Sequence, residues 1–249
     1  MSKDLSVLLH GWDYNPNEVT VRRIAGIDGR EKIQMRLDLG VLQMEVNGRP
    51  DGKKPFGYDS LLEYHLSMQS TSNAVEEVST WNLNSEACAE LKQESMQYYY
   101  RYLSLFHLGD YWNVIRDTER NVQVFDLIRD FAEEESDRMS LEQFRPYVLM
   151  MNARAKGCIA LEEKDYDRAL ELIQAGIGSI LDFFRDVERE DLVESCREIQ
   201  FLEEWSERIR SNRPLSPAER LRKELTMAVE EEDYERAAKL RDQIRELAI

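Results

Sequence analysis

Apolar residues recur at the spacing of an α-helix from Tyr58 almost to the end of the chain. A helix with one apolar stripe has to bury it against another element, so a mainly α protein is expected. Ser85 marks one helix start, and Ser140 with Gln143 three residues later has the spacing of a capping box. The pattern predicts helices at roughly 59–71, 85–108, 110–134, 140–163, 166–187 and 191–211, followed by a shorter helix pair.

The first 57 residues follow a different period. Residues 19–24 are rich in β-branched side chains, and 26–30 hold an Asp-Gly turn. Apolar and polar residues alternate over 33–39, and 41–46 can form a third strand. The expected fold class is therefore mainly α (α+β), with a small N-terminal antiparallel sheet, a helical-hairpin scaffold or bundle, and a C-terminal two-helix hairpin.

Composition shifts along the chain predict four regions. They are a β region at 1–57, an acidic helical scaffold at 58–211, a linker at 212–217 and a helical hairpin at 218–249. The linker is assigned because two prolines and a polar run interrupt the helical pattern there.

An Asp-Tyr pair recurs between apolar helical segments, at Asp110-Tyr111 and again at Asp165-Tyr166. The second site resembles a tetratricopeptide helix pair, with Gly157, Ala160 and Ala169 at small packing positions. These turns are 55 residues apart, whereas a regular array repeats about every 34 residues. Divergent helical hairpins and a plain helical bundle both fit this pattern.

The last 34 residues carry the densest motif in the chain. Ser216 and Glu219 form a capping box, an acidic turn lies at 231–233, and apolar residues recur at helical spacing on both sides of it. The motif positions are Leu221, Leu225, Ala228, Val229, Glu232, Asp233, Tyr234, Glu235, Ala237, Ala238, Leu240, Arg241, Asp242 and Ile244. Two short helices of this kind bury little surface alone, which favours docking on another surface.

This segment resembles the UVR motif, the helical hairpin of bacterial excinuclease subunits B and C. The resemblance implies a hairpin that pairs with another UVR hairpin or with a second copy of itself, either in excision repair or in bacterial stress regulators of protein quality control. The candidate partner-binding residues are Glu232, Asp233, Tyr234, Glu235, Ala238, Arg241 and Asp242.

Helical geometry adds three expectations about the hairpin. Tyr234 is expected to wedge between the two helices, and Ala237 and Ala238 to allow their close approach. Arg241 and Asp242 are adjacent, so they are expected to point in different directions around the helix.

The net charge of −16 is concentrated in the middle of the chain. Residues 1–57 sum to +1 and 217–249 to −2, whereas 58–216 hold 17 basic and 32 acidic residues. A surface that grips a phosphate backbone needs excess positive charge. Direct nucleic-acid binding by the body of the protein is therefore not expected.

The sequence contains no pattern that carries catalysis or metal binding. His10, His65 and His107 are far apart, the three cysteines (Cys88, Cys158 and Cys196) are widely spaced, and no phosphate-binding glycine loop occurs. No cofactor is expected, and the cysteines are expected to be reduced and mostly buried. Without a long apolar run or a signal peptide, the expectation is no membrane contact and a cytoplasmic location.

Two further features leave alternatives open. The loop at 47–57 carries Arg49, Lys53 and Lys54, which are candidates for contacting an anion, although the loop is equally an ordinary connector. Four tyrosines crowd residues 98–102, as core packing or as the lining of a peptide groove.

The sequence thus favours a non-catalytic protein-interaction protein, an adaptor that docks through its C-terminal hairpin in a stress response or in protein quality control. The alternative is an accessory factor in nucleotide excision repair that binds an excinuclease subunit. An enzyme with its site around Arg49 and Lys53, between sheet and helices, is the third hypothesis.

Overall fold

The computed structural model describes residues 4–75, 81–214 and 217–246. Two compact units divide the chain, Met1–Glu204 and Trp205–Ile249. The boundary falls inside one helix, Arg197–Asn212, and the finer division at 57, 211 and 217 stays a prediction. The helices of the first unit are α1 Ser6–Leu9, α2 Leu61–Val75, α3 Ser85–His107, α4 Tyr111–Phe131, α5 Glu135–Arg138, α6 Arg145–Glu162, α7 Tyr166–Asp186 and the start of α8 Arg197–Asn212.

The predicted sheet is confirmed as three antiparallel strands in the order β1 Val21–Ala25, β2 Glu31–Leu37 and β3 Gly40–Glu45. The Asp-Gly turn closes the first hairpin, with Gly29 at a φ of 75° and a hydrogen bond from the Gly26 N–H to the Arg30 carbonyl of 2.7 Å. Ile33, Met35 and Met44 are buried on one face of this sheet, and β2 packs against α3.

The helices α3, α4, α6 and α7 pack consecutively against each other. Gly157, Ala160 and Ala169 are all buried, and the closest approach lies at Gly176, where an added Cβ would stand 2.3 Å from the Ala153 Cβ. Small residues therefore allow α6 and α7 to approach each other closely at this point.

Two predicted helix starts differ from the structure. Residues 142–144 form a 3₁₀ turn, and α6 begins at Arg145 instead of Ser140. Ser140 and Gln143 do not form a capping box, because the Ser140 hydroxyl donates to the Asp137 carbonyl and the Gln143 amide to the Ser140 carbonyl. Pro146 suits the first turn of a helix, which explains the later start. A second 3₁₀ turn at Glu190–Ser195 likewise delays α8.

The recurring Asp-Tyr pairs mark one type of turn. Asp110 and Asp165 each accept a hydrogen bond from the backbone N–H three residues later, which caps the next helix. The residue before each, Gly109 or Lys164, has a positive φ, and its N–H bonds back to the preceding helix. The pair is thus a Schellman ending joined to an Asp cap.

Candidate functional site

The C-terminal hairpin consists of α9 Pro217–Glu230 and α10 Tyr234–Glu246. Its small core holds Ala228, Ala237 and Leu240, with Leu221 and Leu225 packed against it. The predicted capping residue Ser216 and the stripe residue Leu247 lie outside the described residues. With so few apolar side chains inside, the pairing of these helices rests on a small buried area.

The turn between α9 and α10 repeats the turn type found at Asp110 and Asp165. Glu232 has a φ of 60°, and its N–H bonds to the Val229 carbonyl at 3.1 Å. The Asp233 N–H bonds to the Ala228 carbonyl at 2.8 Å, and the Asp233 carboxylate caps α10 at the Arg236 N–H at 3.0 Å. Glu232 and Asp233 therefore shape the hairpin itself.

Replacing Glu232 with glycine is expected to stabilise the hairpin by about 1 kcal/mol, because a residue with a side chain is strained in the left-handed region and glycine is not. Hydrogen exchange of the α10 amides in the full chain measures this change. Lys164→Gly, at the equivalent turn of the first unit, is the matched control and should leave the α10 amides unchanged. Faster exchange in α10 after Glu232→Gly would contradict the expectation.

The expectations for Tyr234 and Ala238 are wrong, whereas the close approach expected at Ala237 is confirmed. Tyr234 is 69% exposed and does not wedge between the helices, because it is the first residue of α10 and lies outside the core. Ala238 and Val229 are exposed, so Ala237 and Ala228 alone provide the close approach. Val229 and Ala238 each follow a buried alanine, so each is turned about 100° around the helix from the covered face.

Charged residues of α10 pair with each other along its surface. The Glu235 carboxylate lies 2.9 Å from the Lys239 ammonium, four residues later. Arg241 and Asp242 are adjacent and form no i,i+4 pair, and the long Arg241 side chain reaches the Asp242 carboxylate at 3.1 Å. All four side chains are more than half exposed, so these pairs contribute little to stability and leave the residues accessible to a partner.

Basic residues of the loop at 47–57 pair with carboxylates of the same chain. The Arg49 Nε lies 3.1 Å from an Asp51 carboxylate oxygen and 3.5 Å from one of Glu94, and the Arg49 side chain is mostly buried. The Lys54 ammonium pairs with Asp59 at 2.6 Å. Arg49 and Lys54 therefore pair with different carboxylates of the same chain.

Glu94 connects this loop to two helices. Its fully buried carboxylate accepts the N–H groups of Leu61 and Leu62 at the start of α2, at 2.9 and 3.4 Å, and pairs with Arg120 of α4. A carboxylate at a helix N-terminus is favoured by the helix dipole. Sequence reasoning missed this residue, since nothing local distinguishes it from the surface glutamates.

The tyrosine cluster divides between core and cavity. Tyr98 and Tyr102 are buried, whereas Tyr99 and Tyr100 are half-buried. Tyr98 lies between two guanidiniums, with the Arg120 and Arg101 carbons 3.9 and 4.6 Å from its ring centroid. Tyr99 and Tyr102 also line a cavity, so neither alternative alone describes the cluster.

Within the described residues, His, Cys, Asp and Glu form no group of three suited to holding a metal ion. The three cysteines are free, and Cys88 and Cys196 are buried. Over the same part of the chain, every helix is too short or too polar to cross a membrane.

Comparison with known proteins yields one match. Residues 217–248 match the family described as the UvrB/uvrC motif, abbreviated UVR. Neither a curated protein nor a solved structure matches the chain. The matched residues coincide with α9 and α10, so the C-terminal hairpin of this protein is a UVR motif.

Proposed function

We propose that this protein is a non-catalytic adaptor that docks on a protein partner through its UVR hairpin. The UVR motif is associated with protein–protein and DNA-repair-related interactions. The single observation that carries the proposal is the motif at 217–248, folded as a hairpin whose own core is only a few side chains. Such a hairpin gains stability by burying more surface against a partner.

The setting that fits best is a bacterial cytoplasmic stress response or protein quality control. The helices α3 to α7 would act as a tetratricopeptide-like scaffold that presents further surface to partners, and the two turns at Asp110 and Asp165 within it are of one type. The charge of −15 over residues 58–216 supports contact with proteins over direct contact with nucleic acid. The hairpin docks on another UVR hairpin or on a second copy of itself.

An accessory role in nucleotide excision repair is the second candidate, because the matched motif is named after excinuclease subunits. In that role the protein reaches DNA only through an excinuclease subunit. The two candidates differ in which protein is captured, a component of the quality-control machinery or an excinuclease subunit.

A chain that ends at Arg213 tests the docking role. This cut keeps α8 whole and removes α9 and α10. We expect the shortened protein to lose the partners that the full chain captures from its host, while the far-ultraviolet circular dichroism of the remaining helices is retained. If the shortened chain keeps every partner, the docking role is wrong.

Sedimentation of the two chains separates self-pairing from pairing with another protein. If the hairpin pairs with a second copy, the full chain sediments as a dimer and the shortened chain as a monomer. Equal behaviour of both chains as monomers leaves a different protein as the partner.

A further inference from the structure

A cavity of about 440 Å³ opens in the helical unit, bordered by α3, α4, α6 and the start of α8. Ser95, Tyr99, Tyr102, Phe125, Tyr147 and Glu198 are among its lining residues. Its volume falls within the range of small-molecule sites, roughly 300–1,000 Å³, and an apolar lining with a few polar groups is typical of them.

Three tyrosine rings form one wall of the cavity. The ring centroids of Tyr99 and Tyr102 are 5.5 Å apart at an interplanar angle of 90°, and those of Tyr99 and Tyr147 are 6.1 Å apart. Burial raises the pKa of all three phenols, so the rings are neutral at physiological pH. Neutral aromatic rings attract cations through their electron-rich faces.

The cavity lining carries one negative charge. Glu198 is the one charged side chain among the described lining residues, and its carboxylate is contacted by the Cys196 thiol at 3.4 Å. The nearby guanidinium of Arg145 lies 5.7 Å from the Phe125 ring, but Glu142 and Asp126 bind it at 2.6 and 2.9 Å. The lining side chains therefore offer a ligand cation one carboxylate, although the Arg154 guanidinium also acts on the Tyr147 phenol.

Ser95 borders this cavity and carries a buried hydroxyl without a hydrogen-bond partner in the described residues. Its side chain is 4% exposed, and its hydroxyl has no partner within the described part of the chain. The neighbouring Asn121 amide is already committed, to the Ser95 carbonyl and to Arg120. A buried hydroxyl without a partner is unfavourable, so a ligand that donates an N–H to it removes that cost.

From the rings, the lone carboxylate and the unpaired hydroxyl together, we infer that this cavity binds a small organic amine, a primary ammonium group carried on an apolar body. The carboxylate and the hydroxyl can both accept N–H donors. The body, of roughly ten heavy atoms or fewer for a cavity of this size, packs among the aromatic side chains.

Calorimetric titration of the full chain with three six-carbon probes tests the inference. We expect n-hexylammonium to bind on the order of 10-fold more tightly than 1-hexanol, and hexanoate to bind most weakly, because cation–π attraction and the carboxylate favour positive charge. Hexanol or hexanoate binding as tightly as hexylammonium would overturn the inference. So would the absence of binding by hexylammonium at millimolar concentration.

Two variants locate the binding. Glu198→Gln should weaken hexylammonium about 5- to 10-fold and leave hexanol unchanged, because it removes only charge. Glu171→Gln, which alters an exposed glutamate of α7, is the matched control and should change neither affinity. Equal hexylammonium binding by the Glu198 variant and the wild-type chain, with unchanged melting temperatures, would place the amine elsewhere and contradict the inference.

Discussion

The Asp117→Asn variant is expected to lose about 3–5 kcal/mol of unfolding free energy in the unit Met1–Glu204. Asp117 and Arg101 are almost completely buried, at 0% and 1% exposure of their side chains. Two hydrogen bonds of 2.7 and 2.8 Å join the guanidinium of Arg101 to both carboxylate oxygens of Asp117. Removing the negative charge leaves a buried guanidinium without its counterion, and an uncompensated buried charge strongly destabilises the folded state.

The effect extends to the sheet because Arg101 also holds β3 and the following loop. The guanidinium donates to the carbonyls of Glu45 at 3.1 Å and Gly48 at 2.6 Å, and Arg116, which itself contacts Asp117, donates to the Val46 carbonyl. Asp117 thus orients two arginines that fix the end of β3 on α3 and α4.

Urea unfolding measures the loss, with Asp182→Asn as the matched control. Asp182 makes an exposed pair with Arg185, and its replacement should change the unfolding free energy by less than about 0.5 kcal/mol. A loss of under roughly 1 kcal/mol for Asp117→Asn would mean that the buried pair is not the anchor described here.

The second large effect is expected from Ala228→Arg, which should unfold the UVR hairpin and leave Met1–Glu204 folded. Ala228 is fully buried against α10, so a long charged side chain cannot be accommodated without separating the helices. The hairpin core is too small to offset that cost. The control is Ala238→Arg, since Ala238 is exposed and arginine has nearly the helix propensity of alanine.

Hydrogen exchange of the full-length variants distinguishes these outcomes. We expect Ala228→Arg to remove protection from the amides of α9 and α10 while those of α3 to α7 stay protected, and Ala238→Arg to preserve both sets. Protected amides in α10 of Ala228→Arg would contradict the helix pairing described here.

Partner capture by the same two variants links the hairpin fold to docking. Loss of the partner by Ala228→Arg is expected if docking needs the folded hairpin. Loss by Ala238→Arg with an intact hairpin would assign Ala238 to the contact surface. Retention of the partner by the unfolded hairpin would contradict docking through a folded UVR motif.

Features set by neighbouring residues were predictable from the sequence. Apart from the short α5 and the later starts of α6 and α8, the helices from α3 onward follow the apolar spacing, and the three strands follow the alternation at 19–46. The Asp-Tyr pairs at 110, 165 and 233 mark turns of one type, because an αL residue followed by an Asp cap is a local hydrogen-bonding pattern. The UVR motif is also defined by residues close together in the chain, and it is recognised from 32 consecutive residues.

The roles of individual side chains within the predicted sites were less predictable from the sequence. Tyr234 and Val229 fit the apolar pattern yet are exposed. Each helix of a two-helix hairpin buries only one face, so residues beside the buried stripe face the solvent. Arg49 was a candidate for an outside anion, but Asp51 and Glu94 of its own chain approach it. Carboxylates that are distant in sequence cannot be assigned to an arginine by spacing alone.

By itself, the sequence determined the mainly helical class, the N-terminal sheet, the turns and the UVR hairpin, because each rests on interactions within a few residues. Only the tertiary structure decided which charges are buried and paired. Arg101 meets Asp117 at a separation of 16 residues and the Glu45 carbonyl at 56, and Glu94 meets Leu61 at 33. The amine cavity likewise exists only where α3, α4, α6 and α8 come together. Long-range packing sets the local desolvation on which the strength of such polar contacts depends.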